Sequence, residues 1–171
     1  KRPIDVWEMM RSYTLGVIMG KRMERARHFL AGYAACRQLS FGYLDMAWHT
    51  ITEPLAEGLD TKTFEDTAWQ KAQLLPATPA PCQMSTSFGH IFSGGYAAGY
   101  YGYKWAEVLS ADCYAAFEEE GLFEPAVGRR FLAEILSVGG SRPAIDSFRA
   151  FRGRAPELDA LLRHNGMVEE A

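Results

Sequence analysis

Residues 88–109 put one histidine, five glycines and four tyrosines into a single run, Phe88-Gly-His-Ile-Phe-Ser-Gly-Gly-Tyr-Ala-Ala-Gly-Tyr-Tyr-Gly-Tyr-Lys-Trp-Ala-Glu-Val-Leu109. Phenol hydroxyls donate hydrogen bonds. A row of them can hold a peptide carbonyl or stabilise negative charge developing on its oxygen. At helical spacing Tyr96, Tyr100 and Tyr103 fall at i, i+4 and i+7 and share one face with Glu107. Gly95, Ala98, Gly99, Gly102 and Ala106 make a smooth second face, and Tyr101, Trp105 and Val108 a bulky third. Each glycine inside a helix costs about 0.5–1 kcal/mol relative to alanine, which close packing or a need for mobility must offset. Two readings stand on the residues alone. One is a buried aromatic helix whose hydroxyls find local partners. The other is a donor row that serves a substrate.

The run resembles the tyrosine- and glycine-rich segment of the M3 family of zinc metallopeptidases, the oligopeptidase A, peptidyl-dipeptidase and thimet oligopeptidase type. The resemblance extends to Arg37-Gln-Leu-Ser-Phe-Gly-Tyr-Leu-Asp45, Phe117-Glu-Glu-Glu-Gly-Leu-Phe, Ile135-Leu-Ser-Val-Gly-Gly-Ser141 and Phe148-Arg-Ala-Phe-Arg-Gly-Arg154, so it covers most of the chain from about Met23. It implies zinc-dependent hydrolysis of short peptides. Tyr100 and Tyr103 would then be catalytic, one of them donating to the oxyanion, while His90 and Tyr96 bind substrate backbone. Gly94 and Gly95 would let the segment Ser93-Gly94-Gly95 close over the peptide, where the residues alone suit a tight turn with positive φ equally well. The family's zinc site is an HExxH helix followed by a glutamate ligand. No HExxH occurs here, and His28, His49, His90 and His164 have no i, i+4 partner among themselves. The resemblance therefore implies the C-terminal part of an M3 catalytic domain, with no metal ligand in this chain. Zinc is expected on a missing upstream segment of the same domain, which becomes a partner alongside the peptide substrate. A face left open by that segment would favour self-association. The alternative is a non-catalytic helical peptide-binding module.

The elements that must position these residues read as helices throughout, an all-α, bundle-like single domain over 1–171. The first stretch predicts a helix, a break near Gly20 and a new, largely buried helix from about Met23 to Thr50. Asp45 and His49 are spaced i, i+4, which suits a metal or acid/base pair less well than a helix-end histidine bonded to a carboxylate. Asp60-Thr-Lys-Thr-Phe-Glu caps a short helix near 61–73. Pro76, Pro79 and Pro81 make 74–84 a loop that delivers His90 to the front of the tyrosine helix. Glu118-Glu-Glu-Gly121 ends that helix, and Pro125 opens one near 126–138, closed by Gly139-Gly140. Ser141 should cap the next, carrying Phe148 and Phe151, and Pro156 should start the last, ending near Asn165-Gly166. Arg149, Arg152 and Arg154 could bind a substrate carboxylate, although a solvated face is the commoner use of such a set.

Composition narrows the classes. The chain has 171 residues, 48% hydrophobic and 23% charged, ordinary for a globular protein with a sizeable core. Net charge is −3 with scattered arginines, which gives no basic stripe for nucleic acid or an anionic membrane. No apolar run reaches membrane-spanning length. Cys36, Cys82 and Cys113 are odd in number and widely spaced, which suits a reducing compartment and the cytoplasm. Lys1-Arg-Pro reads as a chain already in progress, with no signal peptide visible.

Overall fold

The computed structural model describes residues 6–54, 56–75 and 83–168, with side chains in part of the first helix left aside. Among these residues every regular element is helical, as the sequence predicts. The chain divides into two compact units, residues 1–31 and 32–171. In the first, helix α1 spans Val6–Ala26. It passes through Gly16 and Gly20 without interruption, so the expected break near Gly20 is corrected. The true break is the turn at 27–30, where Leu30 adopts φ 59° and stops the helix. The side chain of Trp7 and the prolines at 76, 79 and 81 lie outside the described residues.

The second unit, from Gly32, holds all but the first residue of α2, Ala31–His49. The buried side chains of α2 are Ser40, Phe41, Leu44 and Asp45, one stripe at i, i+1, i+4 and i+5, while Tyr33, Leu39 and Met46 are exposed. The expectation of a largely buried helix is corrected to a one-sided one. Helix α3, Thr61–Trp69, begins where Asp60 accepts the Thr63 amide at 2.9 Å, and a 3₁₀ turn over Gln70–Ala72 extends it. A second 3₁₀ turn covers Met84–Thr86 and a one-turn helix, α4, covers Gly89–Phe92. Helix α5 begins only at Gly102 and runs to Glu120, where Gly121 at φ 120° ends it.

Helix α6, Pro125–Phe131, has Pro125 in its first turn and Glu124 as cap. It passes into a π-helical turn, Leu132–Leu136, in which the Ser137 amide reaches back to the Leu132 carbonyl at 2.8 Å. Helix α7, Ala144–Arg152, starts after Pro143, not on a Ser141 cap. Helix α8, Asp159–His164, starts three residues beyond Pro156. Helix α5 packs on α6, α7 and α8. Two cores result. Ala116, Val127 and Phe151 centre the one between α5, α6 and α7. Phe41, Leu44, Phe88 and Ile91 centre the other, which fastens the 83–101 segment to α2 and α3.

Candidate functional site

The site is built on that second core. Ile91 is fully buried and Phe88 nearly so, with the Phe88 ring 5.2 Å from that of Phe41. These two apolar anchors hold α4 down and leave His90, between them, exposed. After α4 the chain turns back on itself. The Ser93 and Gly94 amides both donate to the Gly89 carbonyl at 2.8 Å, and the Tyr96 amide donates to the His90 carbonyl at 3.1 Å. Gly94 is required here by space, since a Cβ would lie 2.9 Å from the His90 Cα and 3.1 Å from its carbonyl oxygen. Gly95 is required by conformation, at φ 81°.

Two buried carboxylates clasp this segment. Asp45, on α2 and fully buried, accepts the Ala98 amide at 2.9 Å on Oδ1 and the Tyr100 amide at 2.8 Å on Oδ2. The Ala98 backbone sits in the left-handed region, φ 53°, unusual for a residue with a side chain. His49 Nδ1 lies 2.8 Å from both the Asp45 Oδ1 and its backbone oxygen, which is the helix-end pairing expected for these two residues. On the other side Glu65 of α3, 3% exposed, accepts the Met84 and Ser85 amides at 2.8 and 3.2 Å. Neither carboxylate role was visible as a motif. A backbone amide supplies no residue type to read, and both partners are distant in sequence.

The four candidate side chains do come together. His90 has ring centroids 6.1 Å from Tyr96 and 6.3 Å from Tyr100, Tyr96 stacks on Tyr103 at 4.9 Å, and Tyr100 lies 5.1 Å from Tyr103. The cause differs from the expected one. Residues 93–101 form turns, so Tyr96, Tyr100 and Tyr103 do not share a helix face. The turn held by Asp45 gathers them, and the smooth glycine face expected across residues 95–106 is not a helical surface either. Glu107 pairs with Lys104 of its own helix.

The two inner phenols differ in what they are free to do. The Tyr100 hydroxyl donates to Gln38 Oε1 at 3.0 Å, and burial pushes its pKa above the usual 10.0, with Arg37 opposing. Tyr103 is 40% exposed. Its pKa is also raised, chiefly by hydrogen bonding with the Tyr96 hydroxyl and then by burial.

Of the three arginines read as a solvated face or, less readily, as partners of a substrate carboxylate, two are placed otherwise. Arg152 and Arg154 converge on fully buried Asp112. Arg152 Nε donates at 3.1 Å and the Arg154 guanidinium at 2.6 and 2.7 Å, with the Glu157 amide at 2.9 Å. Arg152 also pairs with Glu119 at 2.8 and 2.9 Å. Burial alone would raise the Asp112 pKa, but these donors hold it below the ordinary carboxylate value. These two arginines thus form a structural network, Arg152 buried and Arg154 partly exposed, while Arg149 is exposed, as a solvated face requires, and lies 3.9 Å from Asp146. A cavity of about 510 Å³ opens between α5, the π-helical turn and α7, lined by Cys113, Phe117, Ile135 and Phe148 among others, and none of the four candidate residues borders it.

Among the described residues no group of three or more His, Cys, Asp or Glu could hold a metal ion. Asp45 spends both oxygens on backbone amides, and His49 Nδ1 faces the Asp45 carboxylate and carbonyl oxygen. A zinc ion therefore does not fit the described residues of this chain. Among the same residues no helix is long and apolar enough to cross a membrane.

A helical frame that clasps a histidine and phenol cluster is here a segment of a peptidase domain, because residues 14–167 match the model of Peptidase family M3. The chain is 46% identical over 144 residues to Oligopeptidase A of Haemophilus influenzae, covering 84% of this chain and 21% of that protein. It is 44% identical over 148 residues to Oligopeptidase A of Escherichia coli, covering 85% and 21%. Against the Dipeptidyl carboxypeptidase of Escherichia coli it is 40% identical over 148 residues, covering 86% and 21%. The chain belongs to peptidase family M3. It spans about a fifth of the length of the curated relatives it matches.

Proposed function

We propose that this chain supplies the substrate-binding and oxyanion-stabilising segment of an enzyme that hydrolyses short peptides. Zinc, in this reading, is bound by parts of the protein outside this chain, and the peptide is held jointly. The observation that carries the reading is the gathering of His90, Tyr96, Tyr100 and Tyr103 into one cluster. Tyr100 is held by Gln38 and half-buried, while Tyr103 is 40% exposed and has only the neighbouring Tyr96 hydroxyl, which a substrate carbonyl would replace.

Attack on a peptide carbonyl moves charge onto its oxygen. A donor that reaches that oxygen binds the transition state better than the ground state, and so raises turnover. Tyr103 fills that role. Tyr100 sets the Tyr103 ring by contact, and Tyr96, stacked on the other side, limits its swing. His90, exposed at the rim, and Tyr96 offer donors and acceptors to substrate backbone. Gly94 and Gly95 allow the chain to turn tightly enough to place them.

The test is Tyr103→Phe in the protein that carries this chain, assayed on an internally quenched short peptide. Loss of the hydroxyl should lower kcat by about 10²–10³-fold with little change in KM, as for other oxyanion donors. His90→Ala should act mainly on KM. Unchanged kcat in Tyr103→Phe would remove the catalytic role and leave peptide binding as the function to test.

A further inference from the structure

The Asp45 carboxylate is the buried group that the mechanism above does not use. It is fully enclosed, carries no arginine or lysine partner, and spends both oxygens on the amides of a turn 53 and 55 positions away. Burying a carboxylate is costly unless hydrogen bonds satisfy it, and here the satisfying donors are two backbone amides of a distant turn. The bonds it makes are specific. They hold Ala98 at φ 53°, the conformation that reverses the chain between Tyr96 and Tyr100 and brings both rings against Tyr103. Without the carboxylate, the Ala98 and Tyr100 amides would lose their acceptor, and an alanine would no longer be held in the left-handed region it disfavours.

We propose that Asp45 is a positioning residue for the phenol cluster, acting through the Ala98 and Tyr100 amides to aim the Tyr103 hydroxyl. His49 Nδ1 lies 2.8 Å from Oδ1, the oxygen that also accepts the Ala98 amide. This rests on the functional reading of Tyr103 given above. Misplacement of a catalytic donor by about 1 Å costs on the order of 10²-fold in rate, so a group that never touches substrate can have a large effect.

A double-mutant cycle tests it, in the protein that carries this chain, with kcat and KM read on the quenched peptide. Asp45→Asn keeps the side-chain volume but turns an NH₂ toward one of the two amides. The expected result is a kcat lower by about 10²-fold with KM within about three-fold. Adding Asp45→Asn to Tyr103→Phe should then cost almost nothing further, because the hydroxyl it aims is already absent. Losses that multiply would overturn the proposal, since a merely structural carboxylate would depress activity with or without the phenol. Failure of the underlying reading has a different signature, an intact kcat in Tyr103→Phe alone, and it overturns both. Should Asp45→Asn not fold, amide hydrogen exchange on the unmodified protein decides. Ala98 and Tyr100 should exchange far more slowly than Gly95 and Ala97, and equal rates would overturn the proposal.

Discussion

The carboxylate of Asp45 accepts the backbone amide of Tyr100 at 2.8 Å, although the two residues stand 55 positions apart. The bond joins the C-terminal part of a long helix to the last turn before another. It places the Tyr100 ring 5.8 Å from Phe41 in an edge-on contact and 5.1 Å from Phe88. One face of Tyr100 is thus core and its hydroxyl, on Gln38, is polar. The phenol serves as a wall for Tyr103 more than as a donor of its own. Tyr100→Phe should accordingly lower kcat by less than Tyr103→Phe does, a ranking that steady-state kinetics on one peptide can read.

The glycines of the segment should separate by position. Gly94→Ala would push a Cβ against backbone atoms of His90 at 2.9 and 3.1 Å, which cannot yield as a flexible side chain would. Overpacking of this kind costs about 1–3 kcal/mol. It should displace His90 and raise KM for peptide. Gly102→Ala meets nothing within 4 Å and lies in the first turn of α5, so it should be neutral or stabilise by up to about 1 kcal/mol. Thermal melts and KM values of the two variants check the contrast.

Glu65→Gln should loosen the other end of the segment. A glutamine offers one acceptor oxygen where Met84 and Ser85 now have two. Losing one such bond at a buried site costs about 1–3 kcal/mol. Hydrogen exchange at the Met84 and Ser85 amides should accelerate in the variant, while that at Ala98 and Tyr100 stays slow. Unaltered exchange at residues 84 and 85 would show that the carboxylate does not hold them.

Acid should unfold the α5–α8 half through its ion network. The Asp112 pKa is held down by Arg154, the Glu157 amide and Arg152, and that of Glu119 by Arg152. A depressed folded-state pKa means stability that is fully present above the unfolded value, about 4, and lost as pH falls through the folded value. A pH melt should therefore be flat from about pH 7 to 5 and fall below about 4. Asp112→Asn removes the partner shared by Arg152, which keeps Glu119, and partly exposed Arg154, which keeps Glu157, so it costs about 1–3 kcal/mol. Its melting temperature should drop by about 2–12 °C at neutral pH, and the acid limb should shrink.

Cys113 should be inert. Burial, then the charge of Asp112, pushes its thiol up to about 11, so almost no thiolate exists at pH 8. Iodoacetamide at pH 8 should leave Cys113 unlabelled in the folded protein and label it in urea, as mass spectrometry of the α5 peptide can show.

The helices were legible because their signals are local. Asp60 two residues before Lys62, Gly121 after three glutamates and Pro125 after Glu124 mark ends that the structure reproduces nearly in place. Gly20 misled because a glycine lowers helix preference without ending a helix, whereas the stop at Leu30 depends on its own left-handed backbone. Arg152 and Arg154 misled for a different reason. Their partner Asp112 lies on another helix, 40 and 42 positions away, and no spacing rule connects them. The tyrosines were read correctly as companions and wrongly as a helix face. Spacing of four and three suits a helix, but the run holds Gly94, Gly95 and Gly99, and a distant acid tips it into turns.

The bond from Asp45 to Ala98 also sets the order in which the cluster can assemble. Joining positions 53 apart has an entropic cost that local contacts in the 93–101 turns do not offset by themselves. The cluster therefore comes into being only once α2 has docked, and it is lost when α2 lifts. A synthetic peptide covering 88–109 would hold the same tyrosines without their arrangement. In a population of native molecules, excursions that open the α2 contact abolish the site while the α5–α8 half stays folded. Competence of the tyrosine cluster then becomes a local equilibrium of its own, set by how often one helix lets go and not by the stability of the whole chain.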